Sequence, residues 1–492
     1  MNKRLLIIIG ILLLPLMVLG YLYFSGKIKR DYIPPNVKEK MKPIELNYWR
    51  VWDDSKVFDE MIARFNQQHP NITVKYRKLR YSEYENELIE AFATDRGPDI
   101  FSVHNTWVKK YQGKGLISPM PTNITMVRPY AVKKGLKKET AYKEVNHRFS
   151  LTKLRTDFVD VVYDDVVVGV KDDNGAVSDK IFALPLYVDT MAMFYNRDLF
   201  NNASITGPPK YWNREFQQDV KKMTKQNNKG EIMQSGVALG GSDNIERATD
   251  ILSILMMQNG TKMLENGNVS FSRVPRELQE KGFSPGLDAL RFYTDFSNPA
   301  KEVYCWNSTM SNSLELFMQG KVAMIFAYSY TLPSIRANAP KLNFAIASLP
   351  QIEGNSQSQN FANYWVEVIS KKTLTDPRNT SKGPAYAKNK QEAAWNFVQF
   401  ITAKEQVEDY LAETKKPTAL RSLVEKQSTD DEIGIFAQQV LTADSWYKGA
   451  DANAAEKIIN EMIDEATGNM EKGLTEIINT GAQKVQQTIY EN

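Results

Sequence analysis

The sequence predicts an α/β fold divided among two or three domains, preceded by an apolar N-terminal segment. Three observations carry that reading. The chain has 492 residues, too many for one compact core. Its 42 % hydrophobic and 24 % charged residues are ordinary for a globular protein, which excludes disordered, collagen-like and multi-span membrane chains. Beyond the first forty residues, alternating apolar runs take turns with helical periodicities, the order that builds a largely parallel sheet covered by helices.

The N-terminal run, Leu5 to Phe24, follows Lys3 and Arg4 and is interrupted by Gly10, Pro15 and Gly20. At ~1.5 Å per residue it is long enough to cross a ~30 Å hydrocarbon core. Residues 1–25 therefore read as a transmembrane signal-anchor or signal-peptide helix. Val18-Leu19-Gly20 is a passable but poor cleavage site, and no cysteine follows to carry a lipid. Lys27, Lys29, Arg30, Lys38, Lys40 and Lys42 place more positive charge after the run than before it. On charge alone the body of the chain would stay on the cytoplasmic side. Residues 26–42, with Pro34-Pro35, read as an exposed linker.

From there the elements follow in order. Ile44, Leu46 and Tyr48 alternate as a strand, and Asp53-Asp54-Ser55 offers caps for a helix with Val57, Phe58, Met61, Ile62 and Phe65 on one face. Ile72, Val74 and Tyr76 make a second strand. Ser82 and Glu85 have capping-box spacing before Leu88, Ile89 and Phe92, and 99–103 begins a third strand. Residues 123–160 show little pattern and read as an insertion, its charge run from Lys133 to Lys143 a solvated face. Strands are expected at 181–185, 190–196, 322–328, 344–349 and 366–370, with helices at 211–225 and 247–258. From Gln391 onward the pattern is almost wholly helical.

Several chemistries are missing. There is no nucleophile elbow, phosphate loop, dinucleotide fingerprint or His-Glu-x-x-His, so no cofactor is expected. His69, His104 and His147 lie far apart, without metal-ligand spacing. Asp172-Asp173-Asn174-Gly175 lacks the twelve-residue calcium spacing and reads as a hairpin turn between Val168 and Phe182. Cys305 is the single cysteine and reads as a packed thiol. A net charge of +4 gives no electrostatic case for nucleic acid.

Three segments carry a family signature. They are Leu184 to Phe200 with Pro208-Pro209 and Tyr211-Trp212, then Phe317 to Met324 ending in Leu349-Pro350, then Ala393 to Thr402 with Lys416-Pro417 and Arg421. Tyr48-Trp49, the 97–100 turn and Gly115-Leu116-Ile117 agree with them. Together, from about residue 44 to the C-terminus, they resemble the family 1 extracellular solute-binding proteins of bacterial ABC importers, the maltose-binding-protein-like group. That resemblance implies a two-lobed, type II periplasmic-binding-protein clamshell. It also implies an extracytoplasmic location, overriding the charge asymmetry around the apolar run. By similarity the chain crosses between lobes near Val188-Asp189, Asn363 and Leu420. Lobe one is then 43–188 with 363–420, and lobe two is 189–362 with 421–492.

The cleft residues expected are these. Trp52, Asp53 and Asp54 follow the first strand, where the family places cleft residues, although the aspartates also suit helix capping. His104, Asn105 and Trp107 follow the third strand at its carboxyl end, where open α/β sheets bind ligands; burial under the next helix is the plainer role for Trp107. Asp189 matches a family position that often carries a ligand-facing carboxylate. Ser242 and Asp243 lie in the Gly240–Asn244 turn, whose backbone suits close approach to a ligand. Tyr328 and Tyr330 follow a strand, and Tyr330 matches the family's stacking aromatic. Asn363, Tyr364 and Trp365 stand where relatives carry small residues, which implies a bulkier wall and a smaller ligand. Trp446 and Tyr447 offer a further platform.

The expected function is capture of a sugar or oligosaccharide by hinge closure and its delivery to ABC permease subunits, by a non-enzymatic monomer held at the membrane by residues 5–24. The rivals are an exported carbohydrate-active enzyme, which needs two carboxylates ~5–9.5 Å apart across a cleft, and a sensor or adhesin ectodomain on the same clamshell.

Overall fold

The structure, a computed structural model, describes residues 34–134, 137–468 and 473–490; the apolar run Leu5–Phe24 lies outside them. Among the described residues no helix is long and apolar enough to cross a membrane.

A six-stranded sheet organises the first half. Its order is Ile72–Lys78, Ile44–Arg50, Ile100–His104, Trp365–Ser370 and Ile117–Ser118, with Ala183–Pro185 also paired to Trp365–Ser370. The strands Ile44–Arg50, Ile72–Lys78 and Ile100–His104 are parallel, so their carboxyl ends open at one edge. Trp365–Ser370 runs antiparallel and sets Trp365 opposite His104. Ile44, Leu46 and Tyr48 are buried in strict alternation, as a strand covered by helices on a sheet face requires. Phe58, Met61 and Phe65 of the helix Ser55–Gln68 supply the apolar stripe that packs with them.

A second sheet, Met324–Ala327, Ala192–Asn196 and Phe344–Ala347, is antiparallel throughout. The helix Ala248–Gln258 of the same core is buried along its whole length, the state of a helix that is apolar on most faces. Two separate hydrophobic cores result. One draws on residues from 44 to 188 and from 362 to 424, with Val440 and Ala443 added. The other draws on residues from 191 to 361 and from 433 to 489. Between them lies a small three-stranded sheet of Asp189–Thr190, Asn360–Asn363 and Ala443–Asp444, in which Asp189 pairs with Asn363.

Four local expectations are corrected. Within the expected exposed linker 26–42, Pro35–Lys40 is a helix with Val37 buried and Lys40 paired to Glu392. The second helix starts at Tyr81, so Ser82 lies inside it and makes no capping box. Neither Asp53 nor Asp54 caps the first helix: Asp54 occupies the cap position without a side-chain bond to the backbone and instead meets Lys78 at 3.0 Å. Residues 124–147, which lack a readable pattern, form a long antiparallel hairpin of Ile124–Lys134 and Lys137–His147. Its buried apolar side chains, among those described, are Ile124, Met126 and Val127 at the base, too few to set up an alternation along the strands. The 172–175 segment is a turn, as expected. The Asp172 carboxylate accepts from the Asn174 and Ala176 amides, and Gly175 takes φ +84°.

Candidate ligand-binding cleft

The carboxyl ends of the three parallel strands deliver the first wall. Trp52 follows Ile44–Arg50, Tyr81 follows Ile72–Lys78, and His104 ends Ile100–His104. Trp52 and Tyr81 stack at 5.5 Å with an interplanar angle of 21°, and each meets the edge of Trp365 at 6.2 Å. Trp107 closes on Trp365 at 5.5 Å. Trp52 and Tyr81 remain 41 % and 55 % exposed, so a flat aromatic platform faces the space between the cores.

Charge on this wall is turned inward. Asp53, at φ 64°, lies between Lys416 Nζ at 2.6 Å and the Tyr410 hydroxyl, which donates at 2.9 Å. Burial opposes its charge, but Arg50 and Lys416 outweigh that and hold the carboxyl below its usual range. Arg50 and Glu367 are both buried beneath, 3.4 Å apart.

The floor is the pair of strands that joins the cores. Asp189 is fully buried, and its carboxylate accepts from the Thr190 amide at 2.9 Å, the Ser329 amide at 3.2 Å and the Ser329 hydroxyl at 2.8 Å. Burial pushes it up to about 6, and these donors only partly offset the shift. It therefore anchors the 3-10 turn Ser329–Thr331, which carries Tyr330. His104 Nε2 lies 3.0 Å from the Asn363 side-chain oxygen, and Nδ1 lies 2.8 Å from Thr106 Oγ1. With the amide oxygen accepting, Nε2 carries the proton. Burial holds the ring down at about 4, so it is neutral near pH 7.

The second wall stands on a charged network. Asn363 Nδ2 donates to Asp250 at 3.3 Å; Asp250 also accepts from the Tyr328 hydroxyl at 2.7 Å and from two nitrogens of Arg247, each at 2.9 Å. Arg247 continues to Glu456 at 3.0 Å. Burial works against the Asp250 charge, and Arg247 overcomes it, holding the carboxyl low. Tyr328 is fully buried and backs Tyr330, stacked on it at 5.7 Å and 17°. Tyr330 is 49 % exposed.

These walls enclose a cavity of about 810 Å³, within the range of small-molecule sites. Trp52, Asp53, Asp54, His104, Trp107, Asp189, Tyr330, Trp365, Trp446 and Tyr447 line it. Asn105, Ser242, Asp243, Tyr328 and Tyr364 do not, and the structure shows where each goes instead. Period-two alternation puts Tyr364 on the opposite face from Asn363 and Trp365. There its hydroxyl donates to Asp165 at 2.8 Å, beside Asn105 Nδ2 on the same carboxylate at 2.8 Å. Ser242 donates to Asp464 of the C-terminal helix Ala452–Gly468, and Asp243 is exposed outside the cavity. Tyr328 is the backing plate.

Sequence reasoning misses Tyr81, Tyr187, Arg247, Asp250, Lys416 and Glu456, all of which line the cavity. Tyr81 is reachable, because the strand-end rule that selects Trp52 and His104 applies equally to the second strand. The others reach the cavity through tertiary packing alone. Cys305 is a buried thiol, pushed up to about 12 by burial and donating to the Val237 carbonyl at 3.3 Å.

The family profile described as bacterial extracellular solute-binding protein matches residues 60–437. The chain belongs to that family. This solute-binding protein is 22 % identical over 295 residues to a protein of Brucella abortus named as a putative binding protein, covering 60 % of this chain and 59 % of that one. The match thus spans about three fifths of that relative's length. It is 22 % identical over 390 residues to the galactooligosaccharide-binding protein of Bacillus subtilis, covering 79 % of this chain and 76 % of the relative. The solved cyclic alpha-maltosyl-1,6-maltose binding protein of Arthrobacter globiformis superposes with a TM-score of 0.67 at 17 % identity, over 91 % of this chain and 99 % of the other. At that identity the likeness establishes the mixed α/β solute-binding fold.

Proposed function

We propose that this solute-binding protein captures a sugar or oligosaccharide outside the cytoplasm and delivers it to the permease of an ABC importer. The observation that carries the reading is the pairing of exposed aromatic faces, Trp52 with Tyr81 on one wall and Tyr330 on the other, around one cavity. Sugar rings present flat apolar faces and rims of hydroxyls, so aromatic platforms beside neutral donors and acceptors are what they need. Three of the cations that line the cavity argue against an anionic ligand. Arg247, Arg336 and Lys416 each already hold a carboxylate, so none of the three is left bare to attract an anion. The galactooligosaccharide and cyclic maltosyl-maltose ligands named for the relatives point to the same class.

In this reading lobe one is built on the first core, 44–188 with 362–424, and lobe two on the second, 191–361 with 433–489; closure about the Asp189–Asn363 pair buries the ligand for recognition by the permease. The protein works as a monomer without chemistry of its own. Residues 5–24 hold it to the membrane, and the residues between them and the helix Pro35–Lys40 are the tether.

Thermal unfolding against mono- and oligosaccharides, polyamines and anions tests this. A ligand at 100-fold over its Kd adds ~2.7 kcal/mol of stability, and the shift falls to about 0.4–1.4 kcal/mol in Tyr330→Ala at the same concentration. Stabilisation by an anion or polyamine in place of any sugar overturns the ligand class.

A further inference from the structure

Eight carboxylates line the cavity against four cations, in a chain whose own net charge is +4. The excess is not spread evenly. On the first wall Lys416 meets Asp53 at 2.6 Å, Lys78 meets Asp54 at 3.0 Å, and exposed Glu413 and Lys415 lie two residues apart. Arg336 holds Glu432 at 2.7 Å. What is left over stands around Tyr330. Arg247 alone serves both Asp250 and Glu456. Asp189 is held by amide and hydroxyl donors, with no cation in contact. The carboxylate of Glu246 has no hydrogen-bond or ion-pair partner among the described residues.

Glu246 is nevertheless fixed in place. Its amide donates to Ser313 Oγ at 2.8 Å, and Asn244, two residues earlier, donates to the Asn307 and Met310 carbonyls at 2.8 and 3.0 Å. The backbone is preset, and a half-buried carboxylate lines the cavity without a partner. Burial pushes the Tyr330 phenol up; Arg247 opposes that, and Glu246, Asp250 and Asp189 add to it. All three carboxylates are thus within electrostatic reach of this ring.

The ring itself supplies a second, independent feature. Tyr328 covers one face of Tyr330 at 5.7 Å, and at 49 % exposure the other face is open. The face of an aromatic ring carries partial negative charge and attracts cations. An unmatched carboxylate beside an open ring favours a positive group. A metal ion does not suit the place, because among the described residues no three metal-ligating side chains stand together. An ammonium satisfies both features, donating to the carboxylate and facing the ring. A plain polyamine leaves the opposite wall unused, where Trp52 and Tyr81 present a flat platform with its charges balanced, suited to a neutral sugar ring.

We propose that the ligand is an oligosaccharide carrying an unacetylated amino sugar, with its ammonium between Glu246 and the open face of Tyr330 and a neutral ring on Trp52 and Tyr81. This rests on the sugar-capture reading above, and the test separates the two.

Calorimetric titration of the full-length chain uses sugars matched except at one substituent. They are glucosamine, galactosamine and the β-1,4-linked glucosamine dimer and trimer, each beside its hydroxyl and N-acetyl counterparts. The expected result is an amine form that binds about tenfold or more tighter than both counterparts, as a charged hydrogen bond provides. In Glu246→Gln that ratio should fall towards one. In Asp243→Asn, which removes the same charge from an exposed position outside the cavity, the ratio should stay. If Glu246→Gln misfolds, the unsubstituted chain still decides. Hydroxyl or N-acetyl forms that bind as well as the amines overturn the amino sugar and leave sugar capture standing. An amine preference that survives Glu246→Gln, or falls equally in Asp243→Asn, overturns Glu246 as its source. Binding of putrescine or spermidine with no sugar bound overturns both readings. If no member of this set binds while a neutral sugar of the wider panel does, the amino sugar falls alone; if no sugar of either set binds, both fall.

Discussion

The first wall of the cleft shows its rings and hides its charges, whereas the second shows one ring and holds it on a charged network. Trp52 and Tyr81 stand at the ends of parallel strands, half exposed, while Asp53, Arg50 and Lys416 are bonded to one another behind them. Tyr330 instead rides on Tyr328, whose hydroxyl is fixed by Asp250 and through it by Arg247 and Glu456. One wall is a rigid platform set by backbone geometry. The other is a platform whose position depends on ionised side chains and on Asp189 in the floor. The difference teaches where sensitivity should lie: the first wall responds to loss of aromatic area, the second to loss or titration of charge.

The strongest way to break the comparison is to uncouple the walls. Asp165 lies with the first core, and Lys448 and Ser445 of the second side meet its carboxylate, Lys448 Nζ at 2.5 Å. Lys448→Met leaves a buried carboxylate without its cation and should destabilise the protein by about 3–5 kcal/mol, read from the urea midpoint. Restoring much of that loss with Asp165→Asn in the same chain identifies the pair as the cause, and an additive double variant rejects it.

Next in size is pH. Asp189 titrates at about 6 in the fold, above its unfolded ~3.9. The folded state therefore holds that proton longer, and this group's contribution falls by about 3 kcal/mol as pH rises from ~4 to ~6. His104, at about 4 in the fold against ~6.5 unfolded, does the reverse: its contribution is full above pH ~6.5 and is lost, by about 3 kcal/mol, as pH falls through ~4. Asp189→Asn should tilt the stability–pH curve upward relative to the parent over this window, and His104→Asn should tilt it downward. Tilts of the same sign would show that the two groups do not occupy the contrasted environments described.

Smaller effects sharpen the contrast. Once a sugar is identified, Trp52→Ala and Tyr330→Ala should each weaken it by about 10–100-fold, ~1.4–2.8 kcal/mol; calorimetric titration that finds either variant unchanged removes that wall from the contact. Arg336→Ala, which breaks an exposed pair with Glu432, should cost no more than ~1 kcal/mol of stability and leave sugar affinity within about threefold. A tenfold loss of affinity would mean that this guanidinium meets the ligand directly.

Much of this is legible in the sequence, for identifiable reasons. Ile44, Leu46 and Tyr48 alternate because one face of their strand is buried, and the C-terminal ends of parallel strands point out Trp52 and His104 before any coordinates are known. Tyr364 and Trp365 are adjacent in the chain and read as one wall, yet alternation sends them to opposite faces. The Gly240–Asn244 turn carries glycines for packing reasons: a Cβ on Gly241 would stand 3.0 Å from Trp306, and one on Gly240 2.4 Å from Ser297. Glu456 is invisible because its partner Arg247 lies 209 positions away, and Arg247 and Asp250, three residues apart, reach the cavity only through tertiary packing. The apolar-poor hairpin 124–147 offers no periodicity to follow.

The strand Trp365–Ser370 lies inside the first sheet, between Ile100–His104 on one side and Ile117–Ser118 and Ala183–Pro185 on the other. The order of synthesis is therefore not the order of assembly. After Ile100–His104 emerges, about 260 more residues must be added before its neighbour exists, roughly 13–50 s at ~5–20 residues per second. Throughout that interval the N-terminal half holds an open sheet edge that only a late segment can close. A chain threaded outward N-terminus first would thus stay unfinished, and threadable, until most of its length had been made.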